Sequence, residues 1–181
     1  MPWRQYAYDK KLKYDFNNYN ISVDTSYNAP TINYLGNLPQ EEFPGKIVGT
    51  IILPRSNLTQ IEEFRSVEEA NKIDISENKL IDLSGLRSLK TVNDTLNVGA
   101  NSLKNLNGLE NLTYVKTFLV DDTSNNISSR NLFENFDAIR NSSVGMLKVK
   151  KSVMSTNFKK LNSDDKLCSL GISSFYGRYD S

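Results

Sequence analysis

The chain's densest carboxylates are two adjacent glutamate pairs, Glu62-Glu63 and Glu68-Glu69. Glycosidases use two acids that flank a sugar, so such pairs are the natural candidates for hydrolytic chemistry. The chain contains no histidine, which excludes mechanisms that use imidazole as a base, a metal ligand or a proton shuttle. A carboxylate-dependent, glycosidase-like enzyme is therefore the catalytic alternative that stays open.

Two aspartate pairs, Asp121-Asp122 and Asp164-Asp165, could in principle bind a hard cation. Neither pair has the spacing of an EF-hand or a third cluster of ligands beside it. Cys168 is the only cysteine and can form no disulfide within the chain. We expect no metal and no cofactor.

Composition narrows the class of protein further. The 181 residues carry 22 Lys and Arg against 21 Asp and Glu, and 38% are hydrophobic, enough for the core of one domain. A near-neutral chain gives no reason to expect nucleic acid or a membrane as partner. No signal peptide or membrane-spanning run is evident, so we expect a soluble protein in the cytoplasm or in a particle assembled there.

An internal repeat dominates the middle of the sequence. Five apolar residues, three apart, recur after 23 residues, and a similar set lies 22 residues earlier. The three sets are Leu58, Ile61, Phe64, Val67, Ala70; Leu80, Leu83, Leu86, Leu89, Val92; and Leu103, Leu106, Leu109, Leu112, Val115. Strands with one buried face are predicted at Ile51-x-Leu53, Ile73-x-Ile75, Leu96-x-Val98 and Phe118-x-Val120, because their apolar residues alternate.

The segments KIDISENKLIDLSGLRSLKTV and TLNVGANSLKNLNGLENLTYV resemble leucine-rich repeats of the short, internalin-like class, and GLENLTYV also resembles receptor L-domains. The resemblance implies an α/β fold: a right-handed leucine-rich-repeat solenoid of about four to five repeats, with a parallel β-sheet on its concave side. Residues 1–45 would form an aromatic N-terminal arm and cap, 46–162 the solenoid, and 163–181 a C-terminal cap or tail.

Asn78 and Asn101 follow two of the predicted strands, and we expect both to be structural. A buried amide at such a turn can bond the backbone groups that the turn leaves unpaired. The first unit has Ser56 at this position and the fourth has Thr123. The fourth unit has a looser set, Ile127, Leu132, Phe136 and Ile139, and a degenerate fifth unit is predicted from Leu147-x-Val149.

Nine of the eighteen aromatic residues lie within residues 1–45. Leu35, Leu38 and Phe43 are expected to cap the first repeat. The earlier residues show no helical periodicity, and two interpretations are balanced: an arm that packs on a partner, or a hairpin or coil folded back on its own chain. The predicted arm residues are Trp3, Tyr6, Tyr8, Tyr14, Phe16, Tyr19 and Tyr27.

The resemblance implies that the concave strand residues bind protein. The first contact candidates are Asp74, Glu77, Asn97, Leu119, Asp121 and Asp122. The rest of that predicted surface is Thr50, Ile52, Lys72, Ser76, Thr95, Gly99 and Thr117. A basic C-terminal segment could dock an acidic partner, although a solvated surface is favoured; its residues are Lys148, Lys150, Lys151, Lys159, Lys160, Lys166 and Arg178.

These observations favour a non-catalytic protein-protein interaction module. Composition favours a structural or docking subunit of a larger assembly, for example a virion, anchored by the N-terminal arm. The alternative is a free adaptor that binds a protein ligand through its concave face. The glutamate pairs would lie on the convex side of the first repeat, where no pocket is expected, so an enzyme is the least favoured hypothesis.

Overall fold

The computed structural model of the protein describes residues 1–24, 35–120, 131–150 and 177–180. The order of elements begins with helix α1 (Pro2–Asp9) and strands β1 (Leu12–Asp15), β2 (Asn20–Val23) and β3 (Ile47–Ile52). Strands β4 (Glu69–Asp74), β5 (Thr91–Asn97), β6 (Tyr114–Leu119), β7 (Ser143–Lys150) and β8 (Gly177–Asp180) follow. Short 3-10 turns lie at Glu62–Phe64, Ser84–Leu86 and Asp137–Ile139. Among the described residues, α1 is the one α-helix, and it does not approach the length and apolar character that a membrane-spanning helix needs.

The strands form one open sheet in which each strand lies beside its neighbours in the chain, from β1 to β8. The β1–β2 pair is antiparallel and every later pair is parallel. The α/β class with a largely parallel sheet is therefore confirmed. The sheet runs without a break across the predicted boundary at residue 45, because β2 pairs with β3. It also reaches into the predicted C-terminal cap, because β8 pairs with β7.

One side of the sheet is buried because its residues continue the apolar sets found in the sequence. Ile51, Ile73, Leu96, Phe118 and Leu147 are register partners on five successive strands, and all are fully buried. The three-spaced residues of the connecting segments pack beneath them and are buried too. The predicted strands are confirmed in part: the first apolar residue of each pair lies in a strand, and the second is buried one residue after that strand ends. The pairs are Ile51-x-Leu53, Ile73-x-Ile75, Leu96-x-Val98 and Phe118-x-Val120.

Buried asparagine side chains join successive connections, as predicted for Asn78 and Asn101. The Oδ1 atom of Asn78 accepts bonds from the amides of Ser56 and Leu58 at 2.9 and 3.0 Å. Its Nδ2 lies within hydrogen-bond distance of three carbonyls. One belongs to Leu53, in the connection after β3, and two belong to Ile75 and Ser76, in its own connection after β4. Asn101 repeats the pattern one strand later, with Leu80 as the amide donor. Each asparagine thus satisfies backbone groups that no strand pairing reaches.

The prediction of Thr123 as the fourth residue of this series is wrong. Asn131 takes the position: its Oδ1 accepts from the Leu103 amide at 2.8 Å and its Nδ2 donates to the Val98 carbonyl at 3.2 Å. Thr123 and Ile127 lie outside the described residues. The expected apolar set shifts as well, since Phe133 is buried while Leu132 is exposed. Phe136 and Ile139 are fully buried, as predicted, so the insertion before Asn131 displaces only the first part of the fourth set.

Two glycines allow adjacent connections to touch. A Cβ atom at Gly85 would lie 2.0 Å from the carbonyl oxygen of Ile61, and one at Gly108 would lie 2.0 Å from that of Leu83. Gly108 also has a φ of +109°, a conformation that other residues rarely adopt. These glycines serve close backbone packing between consecutive connections.

The N-terminal segment folds onto its own chain. Trp3 is 2% exposed and contacts the rings of Phe43 and Phe64 at centroid distances of 4.8 and 5.5 Å. Its Nε1 donates to the carbonyl of Glu41 at 3.2 Å. The lack of helical periodicity in this segment predicts no helix, and that prediction is wrong. Pro2–Asp9 forms a helix with proline in its first turn. Leu35, Leu38 and Phe43 are buried here, as expected of a cap.

The predicted arm residues divide into two groups. Trp3 is a core residue, which corrects the expectation that its ring contacts a partner, whereas Tyr6, Tyr14 and Tyr19 are half-buried against the core. Burial, with the nearby carboxylate of Glu63 as a smaller cause, raises the pKa of the Tyr6 phenol well above its usual value. Tyr8 and Phe16 are 72% and 41% exposed. Tyr27 lies outside the described residues.

Trp3→Ala is expected to destabilise the fold by about 3 kcal/mol, the lower end of the cost of truncating a buried large aromatic side chain. The matched control is Tyr8→Ala on the same helix, which should stay within about 0.5 kcal/mol because its ring is exposed. Urea unfolding followed by circular dichroism measures both. Equal stability of the two variants would show that α1 does not cap the core.

Candidate functional site: the outer face of the sheet

The side of the sheet that does not face the core carries two parallel rows of side chains, here called the outer face. The first row follows the register Thr50, Lys72, Thr95, Thr117, Met146 across β3 to β7. The second row follows Ser22, Ile52, Asp74, Asn97, Leu119, Lys148 across β2 to β7. Successive members sit on hydrogen-bonded strands, about 4.8 Å apart. The two rows bring residues from six strands into one surface.

Three of the predicted contact residues are neighbours in the second row. Asp74, Asn97 and Leu119 are register partners on β4, β5 and β6. Asp74 and Leu119 are half-buried, while Asn97 is only 7% exposed. The remaining members of both rows are half-buried. Asp74, Asn97 and Leu119 therefore share one surface, and their contact with a ligand stays a prediction.

The polar members Asp74 and Asn97 are already engaged at the strand ends. Asp74 Oδ1 accepts from the amide and hydroxyl of Ser76 at 3.1 and 2.6 Å. Asn97 Oδ1 accepts from the amide of Gly99 at 3.1 Å. Each of these bonds joins two residues that are two positions apart and closes a turn, so both side chains have a local structural role.

Glu77 is not on the outer face. It lies beyond the end of β4 with a φ of 55°, and its side chain is 8% exposed and paired with Arg55 at 2.5 Å. That hydrogen bond, together with the charge of Glu77, raises the pKa of the Arg55 guanidinium. The prediction that Glu77 contacts a ligand is therefore corrected. Ser76 and Gly99 are likewise buried, and Asp121 and Asp122 lie outside the described residues.

Each of the four glutamates considered for catalysis forms a hydrogen bond or an ion pair with a nearby side chain. Glu62 pairs with Arg87 at 2.6 Å, and Glu63 Oε1 accepts from Gln60 at 3.0 Å. Glu68 bridges Lys90 at 2.8 Å and Lys46 at 3.7 Å, and the hydrogen bond and charge of Lys90 lower the pKa of its carboxyl. Glu69 accepts from Asn93 at 3.0 Å. Glu62, Glu68 and Glu69 thus link neighbouring connections or strands, whereas Glu63 bonds within its own connection.

Within the part of the chain that the structure describes, no group of three or more acidic or cysteine side chains is arranged to hold a metal ion. Of the basic C-terminal residues, Lys148 lies on the outer face, and Lys150 and Arg178 belong to β7 and β8. Lys151, Lys159, Lys160 and Lys166 lie outside the described residues.

Comparisons of the chain with protein-family models, with curated proteins and with solved structures find no match.

Proposed function

We propose that the protein is a non-catalytic protein-interaction module, built as a leucine-rich-repeat solenoid, that binds a protein ligand through the outer face of its sheet. The observation that carries the proposal is the continuity of the two rows. Hydroxyl, amide, apolar and charged side chains alternate over six register-aligned strands. A mixed surface of this kind suits protein recognition, because it combines apolar contact with groups that make hydrogen bonds.

The solenoid part of the proposal is supported by the stacking. Parallel strands follow one another in chain order, each connection touches the next through its backbone, and the asparagine bonds recur. An array of this kind buries its core only between neighbouring units, which leaves the opposite side of the sheet free to bind.

A second candidate function is that of a structural subunit in a larger assembly. Tyr8 and Phe16 are exposed, and cations lie over both rings, Arg4 at 3.8 Å from the centroid of Phe16 and Lys11 at 5.1 Å from that of Tyr8. Exposed aromatic and cationic side chains are the types enriched in interfaces. In this case the N-terminal cap, rather than a free arm, would contact a neighbouring subunit.

The test replaces Thr95 or Thr117 in the middle of the outer face with arginine. We expect either variant to lose at least tenfold in affinity for the protein partner recovered from cells that express the chain, since a long charged side chain blocks a packed interface. Thr59→Arg is the matched control, because Thr59 is exposed in the connection after β3. Each variant must retain the wild-type melting curve.

The outcomes separate the two candidates. Binding that survives both arginine variants but fails in Tyr8→Ala Phe16→Ala would reject the outer face and favour the assembly contact. Binding that survives all of these variants would reject both.

A further inference from the structure

Two lysines of the outer face differ from all the others whose side chains are described. Lys72 and Lys148 are half-buried, whereas the remaining eight are exposed. Those eight are Lys10, Lys11, Lys13, Lys46, Lys79, Lys90, Lys104 and Lys116. Four exposed lysines have a carboxylate within 4 Å, but neither Lys72 nor Lys148 has one among the described residues.

Partial burial makes an unpaired ammonium costly, because the charge loses part of its hydration without gaining an opposite charge. The acids nearest in register are engaged elsewhere. Asp74 accepts two bonds from Ser76, Asp94 pairs with Lys116 at 3.9 Å, and Glu69 accepts from Asn93. The described part of the outer face therefore offers two cations and one carboxylate, that of Asp74, which bonds Ser76 and lies within 4 Å of neither lysine.

Their separation follows from the register. Lys72 on β4 is aligned with Thr95, Thr117 and Met146, and Lys148 lies two residues beyond Met146 on β7. Three strand spacings and two residues along a strand place the two Cα atoms about 16 Å apart. An extended peptide places side chains i and i+4 on one side, about 14 Å apart, and the lysine side chains can reach across the difference.

Leu119 on β6 lies between the two cations, whereas Met146 lies beside Lys148 on β7. Leu119 supplies an apolar contact for a side chain near the midpoint between the two acids of such a peptide. Residue i+2 is that side chain, since it points to the same side as i and i+4.

Resting on the proposed function, we propose that the ligand of the outer face is an extended acidic peptide segment that crosses the strands. Carboxylates at i and i+4 pair with Lys72 and Lys148, and an apolar residue at i+2 packs on Leu119. The lysines thereby determine both the charge and the spacing of the segment that is recognised.

The probe is a synthetic nine-residue peptide of Ser and Thr with Leu at position 5 and Glu at positions 3 and 7. A peptide of the same composition with Glu at positions 3 and 4, and one with Lys at 3 and 7, are the matched controls. Titration into the full chain is followed by NMR. We expect the 3,7 peptide to shift the amide signals of Thr95, Thr117 and Leu119 and to bind more tightly than either control.

Lys72→Ala and Lys148→Ala should each weaken that binding about fivefold, the upper end for a partly exposed ion pair. Lys79→Ala and Lys104→Ala replace exposed lysines outside the strands and should leave the binding unchanged.

Equal binding of both acidic peptides, or equal loss in all four variants, would reduce the effect to general charge attraction and overturn the inference. Failure of every peptide to shift these signals would overturn it too. If Thr95→Arg still abolished capture of the protein partner, the proposed function would stand with a ligand of another chemistry.

Discussion

Leu86→Asp is expected to leave the chain unfolded at room temperature. Leu86 is fully buried at the end of the 3-10 turn Ser84–Leu86, and its carbonyl accepts from the Leu89 amide at 2.9 Å. Loss of a buried leucine alone costs about 2–5 kcal/mol. Burial of an unpaired carboxylate adds to this, and the sum approaches the total stability of a typical domain, about 5–15 kcal/mol. Leu109→Asp should act in the same way, because Leu109 is the equivalent buried residue 23 positions later.

The measurement is a thermal melt followed by circular dichroism, with Ile81→Asp as the control. Ile81 lies five residues earlier but is 68% exposed, so the same charge should be tolerated there within about 0.5 kcal/mol. A cooperative melt of Leu86→Asp at the wild-type temperature would contradict the stacked core.

Asn78→Ala is expected to cost at least about 3 kcal/mol, because the amides of Ser56 and Leu58 and the carbonyl of Leu53 lose the partner that Asn78 provides. The carbonyls of Ile75 and Ser76 keep bonds from Asn101 and Arg55. Each buried group left unsatisfied costs about 1–3 kcal/mol, although water or small movements of the turn can recover some of it. The loss is larger than for an ordinary polar substitution because one side chain bonds two successive connections.

Urea unfolding of Asn78→Ala, Asn78→Asp and Asn93→Ala tests this account. A carboxylate at this position would keep the two acceptor bonds but lose the donors, so Asn78→Asp should also be strongly destabilised. Asn93 is exposed and bonds Glu69, and its replacement should cost no more than about 0.5 kcal/mol. Similar stability of all three variants would mean that the asparagine bonds do not hold the connections together.

Much of the fold could be predicted from the sequence because the repeat depends on apolar spacing. A fully buried position admits few residue types, so Leu80, Leu83 and Leu86 reveal their burial by recurring as Leu103, Leu106 and Leu109. The same logic identified Asn78 and Asn101, since a buried amide among apolar residues needs backbone partners. Asn131 was missed because the insertion before it breaks the spacing on which the comparison depends.

The outer face was predicted only in part. Strand alternation places Asp74, Asn97 and Leu119 on it, but alternation cannot show whether a polar side chain is already bonded. Glu77 was misassigned because its position beyond the strand, with a positive φ, turns the backbone away from that alternation. The distinction of Lys72 and Lys148 from the other lysines depends on burial and on the absence of a described carboxylate within 4 Å, neither of which a single sequence reports.

The sequence by itself therefore determined the repeating core, the strands and the exclusion of histidine chemistry, because these depend on residue type and on spacing along the chain. Only the tertiary structure decided that part of the aromatic N-terminal segment packs on the chain's own core. Trp3 and Tyr6 are residue types that suit either an interface or a core. Trp3 lies in the core because two residues distant in the chain, Phe43 and Phe64, are within contact distance of its ring, and Tyr6 packs against Trp3. Long-range contacts of that kind also determine which lysines lose water, and so which of them a ligand can pair with.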